Sequence, residues 1–327
     1  VPLLNQPFLA WQLALLRQHG VTDVILSCSY RVDDVRAALG DGSALGTRLR
    51  YVVEDEPLGT GGGVRNAADL ARGTVFVLNG DVLTDADLSA MRAFHEASRS
   101  RTTIALTAVE NPRAYGLVET DHAGRLLRFR EKPGADEPLT TNMINAGIYL
   151  IDAALLDRIP TGRAVSIERE FFPALIADGI PSHGWHLSGY WRDIGSPAAY
   201  LAAQIDLLEG RVRTAPAPGG DHDGIAASAT LDRTRLVGPN VIGERARISP
   251  TACIGPCAVL GPGVIVADDA RIERSVLWER VEVGDGAALT GVVVGAEARI
   301  GARARLGSGA VIESGAIVPP DARVGGP

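Results

Sequence analysis

Up to about residue 208, apolar and polar positions switch between a helical and an extended period. Phe8–Gln18 carries Leu9, Leu13 and Leu16 at helical spacing, and the short β-rich run Val24-Ile25-Leu26 follows it. The same pattern predicts helices over residues 32–39, 64–70, 85–97 and 198–208. It predicts strands over 49–53, 75–78, 103–109, 117–119, 126–130 and 144–151. A glycine-rich turn at 59–63 leads into the helix over 64–70, and Gly210 stops the last helix. Val75-Phe76-Val77-Leu78 is uninterruptedly apolar, which predicts a strand covered on both faces. Repeated strand–helix alternation implies an α/β fold with a doubly wound, mostly parallel sheet.

Beyond residue 235 the period becomes six. Leu236, Ile242, Ile248, Ile254, Leu260, Val266 and Ile272 are six apart, and Trp278 continues the series. Val283 follows after five, Leu289 after six and Val294 after five; Ile300, Leu306, Ile312, Val318 and Val324 then recur every six. Gly often follows the aliphatic residue, as in Ile242-Gly243 and Ile300-Gly301. Six residues are too few for a helical repeat, so the pattern predicts a parallel β-helix with the aliphatic column inside. One coil has no core until its neighbours stack on it, which makes this half a scaffold or assembly element. Residues 211–235, with Ala215-Pro216-Ala217-Pro218-Gly219-Gly220, read as a linker. The expected division is therefore 1–210, a linker over 211–235, and 236–327.

Composition narrows the function. A chain of 327 residues, 46% apolar and 22% charged, can build two domains with a sizeable core. The net charge of −7 argues against nucleic acid or an anionic membrane as partner. No run of 18 apolar residues is present, so no membrane span is expected. Three cysteines, Cys28, Cys253 and Cys257, suit a reducing cytoplasm, and the last two read as small buried residues rather than a metal site. The sequence starts at Val1 with no leader pattern, which reads as a start inside a longer reading frame. Of 32 basic residues, 31 are arginine; the single lysine is Lys132. Where coding bias has turned positive surface positions into arginine, the surviving lysine marks a place that needs a compact ammonium on a flexible stem.

Several strand ends carry candidate chemistry. Asp81 ends Val75-Phe76-Val77-Leu78-Asn79-Gly80-Asp81, where an acid can hold a hard divalent cation or cap a helix, and Gly80 allows close backbone approach. Glu54-Asp55-Glu56-Pro57-Leu58-Gly59-Thr60-Gly61-Gly62-Gly63 offers backbone N–H groups to an anion or a base edge. Glu131-Lys132-Pro133, Asn145-Ala146-Gly147 and Trp191-Arg192-Asp193-Ile194-Gly195 each place polar groups beside glycine or proline, as ordinary turns also do.

Taken in order, Leu-Gly-Thr-Gly-Gly (58–62), Leu-Asn-Gly-Asp (78–81), Tyr115-Gly116, Glu131-Lys132-Pro133, Asn145-Ala146-Gly147-Ile148-Tyr149 and Trp191-Arg192-Asp193-Ile194-Gly195 resemble the sugar-1-phosphate nucleotidyltransferases. The hexad tail resembles the left-handed β-helix that many of them carry. Within that family the arrangement is most similar to the mannose-1-phosphate guanylyltransferases. The resemblance implies a doubly wound, Rossmann-like mixed sheet followed by a left-handed parallel β-helix. It implies attack of a sugar-1-phosphate oxygen on the α-phosphorus of a nucleoside triphosphate, with release of pyrophosphate. In that scheme Asp81 and Asp193 hold Mg²⁺, and Lys132 grips the sugar phosphate, so these three are the catalytic set. Gly116, Glu131, Asn145 and Gly147 line the sugar pocket. Glu54, Gly59, Thr60 and Gly80 bind the nucleotide. Guanine offers adjacent N1–H and N2–H donors, which suit the acceptor-only carboxylate of Glu54, so GTP is favoured over UTP and dTTP; Asp55 or Glu56 could take the same role. A cytoplasmic homo-oligomer joined through the β-helix is expected.

The family's N-terminal Gly-Gly-x-Gly-Thr-Arg-Leu signature is absent, and Val1-Pro2-Leu3-Leu4 resembles the segment after it. The expectation is that this polypeptide lacks the triphosphate loop and is inactive as it stands. Transfer of a thymidylyl or uridylyl group to glucose 1-phosphate is an alternative. A non-catalytic regulatory paralogue that binds nucleotide sugar is another, since one fold hosts several roles. Acyl transfer on the hexad coil is disfavoured, because none of His19, His95, His122, His183, His186 and His222 falls within the repeat to serve as base.

Overall fold

The computed structural model describes residues 1–213, 224–231 and 235–325. By contacts it divides into two compact units, Gln12–Trp191 and Val1–Trp11 with Arg192–Pro327. In chain order come β1 (Pro2–Leu3), β2 (Gln6–Pro7), α1 (Phe8–Gln18), β3 (Asp23–Cys28), α2 (Val32–Leu39), β4 (Arg48–Val53) and α3 (Gly59–Asn66). Then follow β5 (Thr74–Leu78), β6 (Val82–Thr84), α4 (Leu88–Ala97), β7 (Thr102–Ala108), β8 (Gly116–Thr120) and β9 (Leu126–Glu131). β10 (Met143–Asp152), α5 (Phe172–Ala177), β11 (Ser182–His186), β12 (Trp191–Asp193) and α6 (Pro197–Leu208) complete the series before the coil. Much of the stretch read as a linker, residues 214–223 and 232–234, lies outside the described residues.

In the unit Gln12–Trp191, β11, β7, β10, β8 and β9 lie in that order, with β5 also paired to β10. β3 and β4 form a separate parallel pair. The sheet is mixed, as the resemblance implies, and not mostly parallel as strand–helix alternation alone suggests. β10 runs antiparallel to β5, β7 and β8, and only β11 runs parallel to its neighbour β7. The reason is local: between β7 and β10 the chain makes the β8–β9 pair instead of a crossover helix, and parallel neighbours need such a crossover. β5 also departs from expectation, being half-buried, because among the described strands its ladder is with β10 alone.

The core of this unit gathers on β10 and the segment 165–175. Phe172 and Tyr149 are its largest fully buried side chains. The Phe172 ring lies 5.7 Å from Phe129, 5.0 Å from Tyr149 and 5.6 Å from Phe171, within the range where aromatic pairs attract.

A second, polar cluster lies where α4 meets β7 and β11. His95 pairs through Nδ1 with the Thr103 hydroxyl at 2.8 Å, and His183 through Nδ1 with the Ser100 hydroxyl at 3.0 Å. Burial holds both imidazoles below the ordinary histidine value; Glu96 and Asp152 partly offset this at His95, Asp121 does so at His183, and Arg125 reinforces it there. A depressed folded value means that the unfolded chain binds more protons just below its own value of 6.5. Stability from these groups is therefore complete above that value and falls as pH drops through it. The urea midpoint should decline between about pH 7.5 and about pH 5.5, above the range where carboxylates titrate. A chain with His95→Gln and His183→Gln should show a flatter profile over the same interval.

In the other unit the hexads build three parallel ladders of five short strands. Ile242, Leu260, Leu277, Val294 and Ile312 stack in register along one of them, all buried. Stacked parallel strands on three faces around an aliphatic column make this half a β-helix. The first five-residue step falls one place earlier than expected: Leu277 points inward, while Trp278 leaves the column and donates its indole N–H to the Tyr200 hydroxyl at 3.1 Å. Two adjacent apolar residues make the pattern ambiguous there. Earlier in the chain, Ile225 bridges Ile242, Thr230 bridges Arg247 and Leu236 bridges Ile254, so the stack already begins within 224–236. The glycine after an aliphatic residue has a steric cause: a Cβ on Gly284 would lie 2.7 Å from Ala302 N, and one on Gly301 2.4 Å from Pro320 N.

β1 and α6 pack in this same unit. The Pro2 carbonyl accepts from the Tyr200 hydroxyl at 2.6 Å and from Gln204 Nε2 at 2.9 Å, and Asn5 Nδ2 donates to the Leu260 carbonyl at 2.8 Å. No helix among the described residues is long and apolar enough to cross a membrane.

Candidate active site

The glycine run is not an open turn. Residues 59–66 form α3, and Gly61, Gly62 and Gly63 are buried. Gly61 N–H and Gly62 N–H both donate to the Val165 carbonyl, at 2.8 and 3.3 Å, and a Cβ on Gly61 would sit 3.1 Å from that oxygen. Glycine is used here for close approach of the chain segment at 165, so these two N–H groups are already engaged rather than offered to a ligand. Thr60 donates from its hydroxyl to Glu168 Oε2 at 2.7 Å and accepts from Ile167 N–H at 3.0 Å. Glu54 is half-buried; one oxygen accepts from Leu58 N–H at 2.9 Å and the other from the Ser27 hydroxyl at 3.1 Å. A carboxylate has further lone pairs beyond these two bonds.

Gly80 and Asp81 lie exposed between β5 and β6, and a Cβ on Gly80 would meet open space. Asn79 N–H, just before them, donates to the Gly147 carbonyl at 2.8 Å. Gly147 has φ +70° in an irregular stretch of β10 between Asn145 and Tyr149, and a Cβ there would lie 2.8 Å from Asn79 Nδ2. Left-handed backbone and the close Asn79 side chain together require glycine at 147. Asn145 therefore lies inside its strand, at the bulge, rather than at the strand's start.

Asn145 donates from Nδ2 to the Tyr149 hydroxyl oxygen at 2.7 Å, and its Oδ1 accepts from Gly147 N–H at 2.9 Å. Burial keeps the Tyr149 phenol protonated far above its usual range, and the carboxylates of Glu168, Glu131 and Asp81 add to that effect. Three acids contributed by distant parts of the chain thus act on one buried hydroxyl. Glu131, at the end of β9, is itself raised above the usual carboxylate value, first by burial and then by Glu168, with Lys132 and Arg169 opposing. Gly116 makes room for it: a Cβ there would lie 2.6 Å from Glu131 Oε2. Lys132 follows with φ +47°, its side chain 61% exposed and Nζ 4.0 Å from Glu131 Oε1. Its N–H donates to the Tyr115 carbonyl at 3.1 Å, and the Tyr115 ring meets Trp191 edge-on at 5.6 Å. Trp191 in turn donates its indole N–H to the Ala146 carbonyl at 2.8 Å.

Asp193 belongs to the other unit. It is half-buried, and its Oδ1 accepts from Gly195 N–H at 2.6 Å just before Ser196 caps α6. The neighbouring Arg192 is structural, donating from Nε and a terminal nitrogen to Asp206 Oδ2 at 3.1 and 2.8 Å.

Within Gln12–Trp191 the structure therefore gathers Asp81, Gly116, Glu131, Lys132, Asn145 and Gly147 around β10. It also adds Glu168, which the motifs do not include. Glu168 sits on a single π-helical turn, Ile167–Phe171, and accepts at Oε2 from both Thr60 and Ser166 hydroxyls at 2.7 Å. π-helical turns concentrate at functional sites. The sequence signal is Ser166-Ile167-Glu168 before the apolar run Phe171-Phe172, a helix start that carries no distinctive chemistry by itself.

Residues 1–210 match the nucleotidyl transferase family model. The chain belongs to the nucleotidyl transferase family. Residues 236–326 match the model described as the GMPPB C-terminal domain, so the family resemblance read from six short motifs holds over both halves. The chain is 41% identical over 288 residues to a mannose-1-phosphate guanylyltransferase of Mycobacterium tuberculosis, covering 86% of this chain and 76% of that one. It is 33% identical to a mannose-1-phosphate guanyltransferase of Emericella nidulans, covering 89% and 78%. A UTP–glucose-1-phosphate uridylyltransferase of Synechocystis is 31% identical, covering 90% and 80%. Among solved structures, HddC from Yersinia pseudotuberculosis superposes with TM-score 0.54 at 26% identity, over 63% of this chain and 88% of that one. This nucleotidyl transferase is thus a sugar-1-phosphate nucleotidyltransferase by sequence, with its mixed α/β part followed by the β-helix.

Proposed function

We propose that this protein transfers a guanylyl group from GTP to mannose 1-phosphate, giving GDP-mannose and pyrophosphate. The observation that carries the reading is the bulge of β10, where Asn145 bonds the Tyr149 hydroxyl and the Gly147 carbonyl holds Asn79, two residues before Asp81, with the single lysine of the chain beside Glu131. Similarity to two proteins named mannose-1-phosphate guanylyl- or guanyltransferases supports the sugar and the base.

In this reading the exposed Lys132 ammonium meets the sugar phosphate. Glu131 and Asn145 hydrogen-bond sugar hydroxyls, and Gly116 and Gly147 keep those two side chains in place. Gly80 lets the nucleotide approach the β5 end, while Gly59 and Thr60 present the start of α3 to it. Glu54 accepts from the guanine edge with the lone pairs left by Leu58 and Ser27, Asp55 and Glu56 being the neighbouring alternatives. Asp81 and Asp193 are the residues that would hold Mg²⁺. The donor chemistry fits, since both are hard carboxylate oxygens of the kind that Mg²⁺ takes beside water and substrate phosphates. When bound, Mg²⁺ neutralises charge on the phosphates during transfer. The three cysteines are free thiols, which supports a cytoplasmic setting.

The test crosses GTP, UTP and dTTP, and their nucleotide sugars, with several sugars by titration calorimetry and pyrophosphate release. GDP-mannose should bind best. Glu54→Gln should reduce the preference for guanine over uracil by about tenfold, because an amide presents a donor to guanine's own donors. A preference unchanged by this substitution would remove Glu54 from the base site, and a preference for another nucleotide sugar would overturn the assignment.

A further inference from the structure

α1 is apolar along its buried side except at one place. Gln12, only 9% exposed, lies next to the buried Leu13, Ala14, Leu15 and Leu16. Its Nε2 donates to the Asn79 carbonyl at 2.8 Å and to the Val82 carbonyl at 3.0 Å. These two carbonyls bracket Gly80 and Asp81, so each amide hydrogen closes one end of the turn that carries the carboxylate. From the opposite side, Asn79 N–H is held by the Gly147 carbonyl at the β10 bulge.

Gly80 has no side chain, and Asp81 is exposed. Backbone anchors set where the turn holds Asp81, and a buried side chain that supplies two donors from one nitrogen is suited to that task. Met in its place keeps length and packing but has no donor. Glu keeps the shape, but burial against two carbonyls favours its protonated form, which offers one donor where the amide nitrogen offers two.

We propose that Gln12 is a positioning residue for Asp81: by tying Asn79 to Val82 it fixes the carboxylate and thereby sets the affinity for the divalent cation. The inference rests on the reading of Asp81 as a cation ligand, and the experiment separates the two. GDP-mannose binding is titrated by calorimetry with and without Mg²⁺ in the parent chain, Gln12→Met, Gln12→Glu and Asp81→Asn, and amide hydrogen exchange is followed at 80–82 and across β7.

Gln12→Met should raise the Mg²⁺ concentration for half its effect by about tenfold or more, the usual size for loss of an outer-shell partner. Metal-free binding should stay within about twofold, exchange at 80–82 should quicken, and β7 should stay protected. Gln12→Glu should act in the same direction, which keeps the test informative if the Met variant folds poorly. If Asp81→Asn abolishes the Mg²⁺ effect while both Gln12 variants keep the parent half-point, Gln12 has only a structural role and the proposal is overturned. If Asp81→Asn keeps the full Mg²⁺ effect, the reading of Asp81 itself fails, and the proposal falls with it.

Discussion

Lys132→Arg should weaken binding of GDP-mannose by roughly 10- to 100-fold, although the formal charge is unchanged, as expected when one hydrogen bond to a charged group is lost. The ammonium is compact and stands 4.0 Å from Glu131 Oε1, loosely enough to turn toward a phosphate. A guanidinium on the same backbone would reach the Glu131 carboxylate with two parallel donors and occupy the acceptor that the sugar needs. The position tolerates little adjustment, because Lys132 has left-handed backbone and is followed by Pro133. Calorimetry reads the loss directly. A Lys132→Arg chain that binds within about twofold of the parent would end the phosphate role given to this residue.

Phe172→Ala should cost about 3–5 kcal/mol of unfolding free energy, read by urea denaturation. That is a large share of the roughly 5–15 kcal/mol that holds an ordinary domain together. Phe172 is fully buried and touches three other aromatic rings, so the space it leaves cannot collapse without moving Phe129, Tyr149 and Phe171. Because the Tyr149 hydroxyl is the partner of Asn145 Nδ2, the hole reaches the candidate sugar site as well. A Phe172→Leu chain, which refills much of the volume, should recover most of the stability. A loss below about 1 kcal/mol for the alanine chain would show that the aromatic cluster is not the core of this unit.

Local periodicity is a good guide wherever one face of one element decides the outcome. α1 and α2 match their expected spans, the β-strands on either side of the glycine run fall within a residue or two, and the hexads give the coil. What escapes it depends on partners far along the chain. Thr60 and Glu168 are 108 residues apart, and Gln12 lies 67 and 70 residues from the two carbonyls it serves. Nothing in the local pattern of residues 59–63 tells that Val165 will approach them, so a helix reads as a turn there. Strand direction is equally silent in a period-two pattern, which is why β10 enters the sheet against expectation. The resemblance assigns the glycines at 116 and 147 to the sugar pocket. Their contacts with Glu131 and Asn79 give a physical cause for glycine there that no single-chain pattern contains.

The register of the coil has a consequence for how this protein can change length. Ile242 lies against Leu260 eighteen residues on, and Leu260 against Leu277 after seventeen. An insertion or deletion of one full circuit moves the downstream rungs up or down the stack and returns every side chain to its own face. Removing a single hexad instead rotates all later rungs by one face, bringing each outer ladder under a different neighbour. Evolutionary drift in the size of this half is thereby quantised, in steps of one lap.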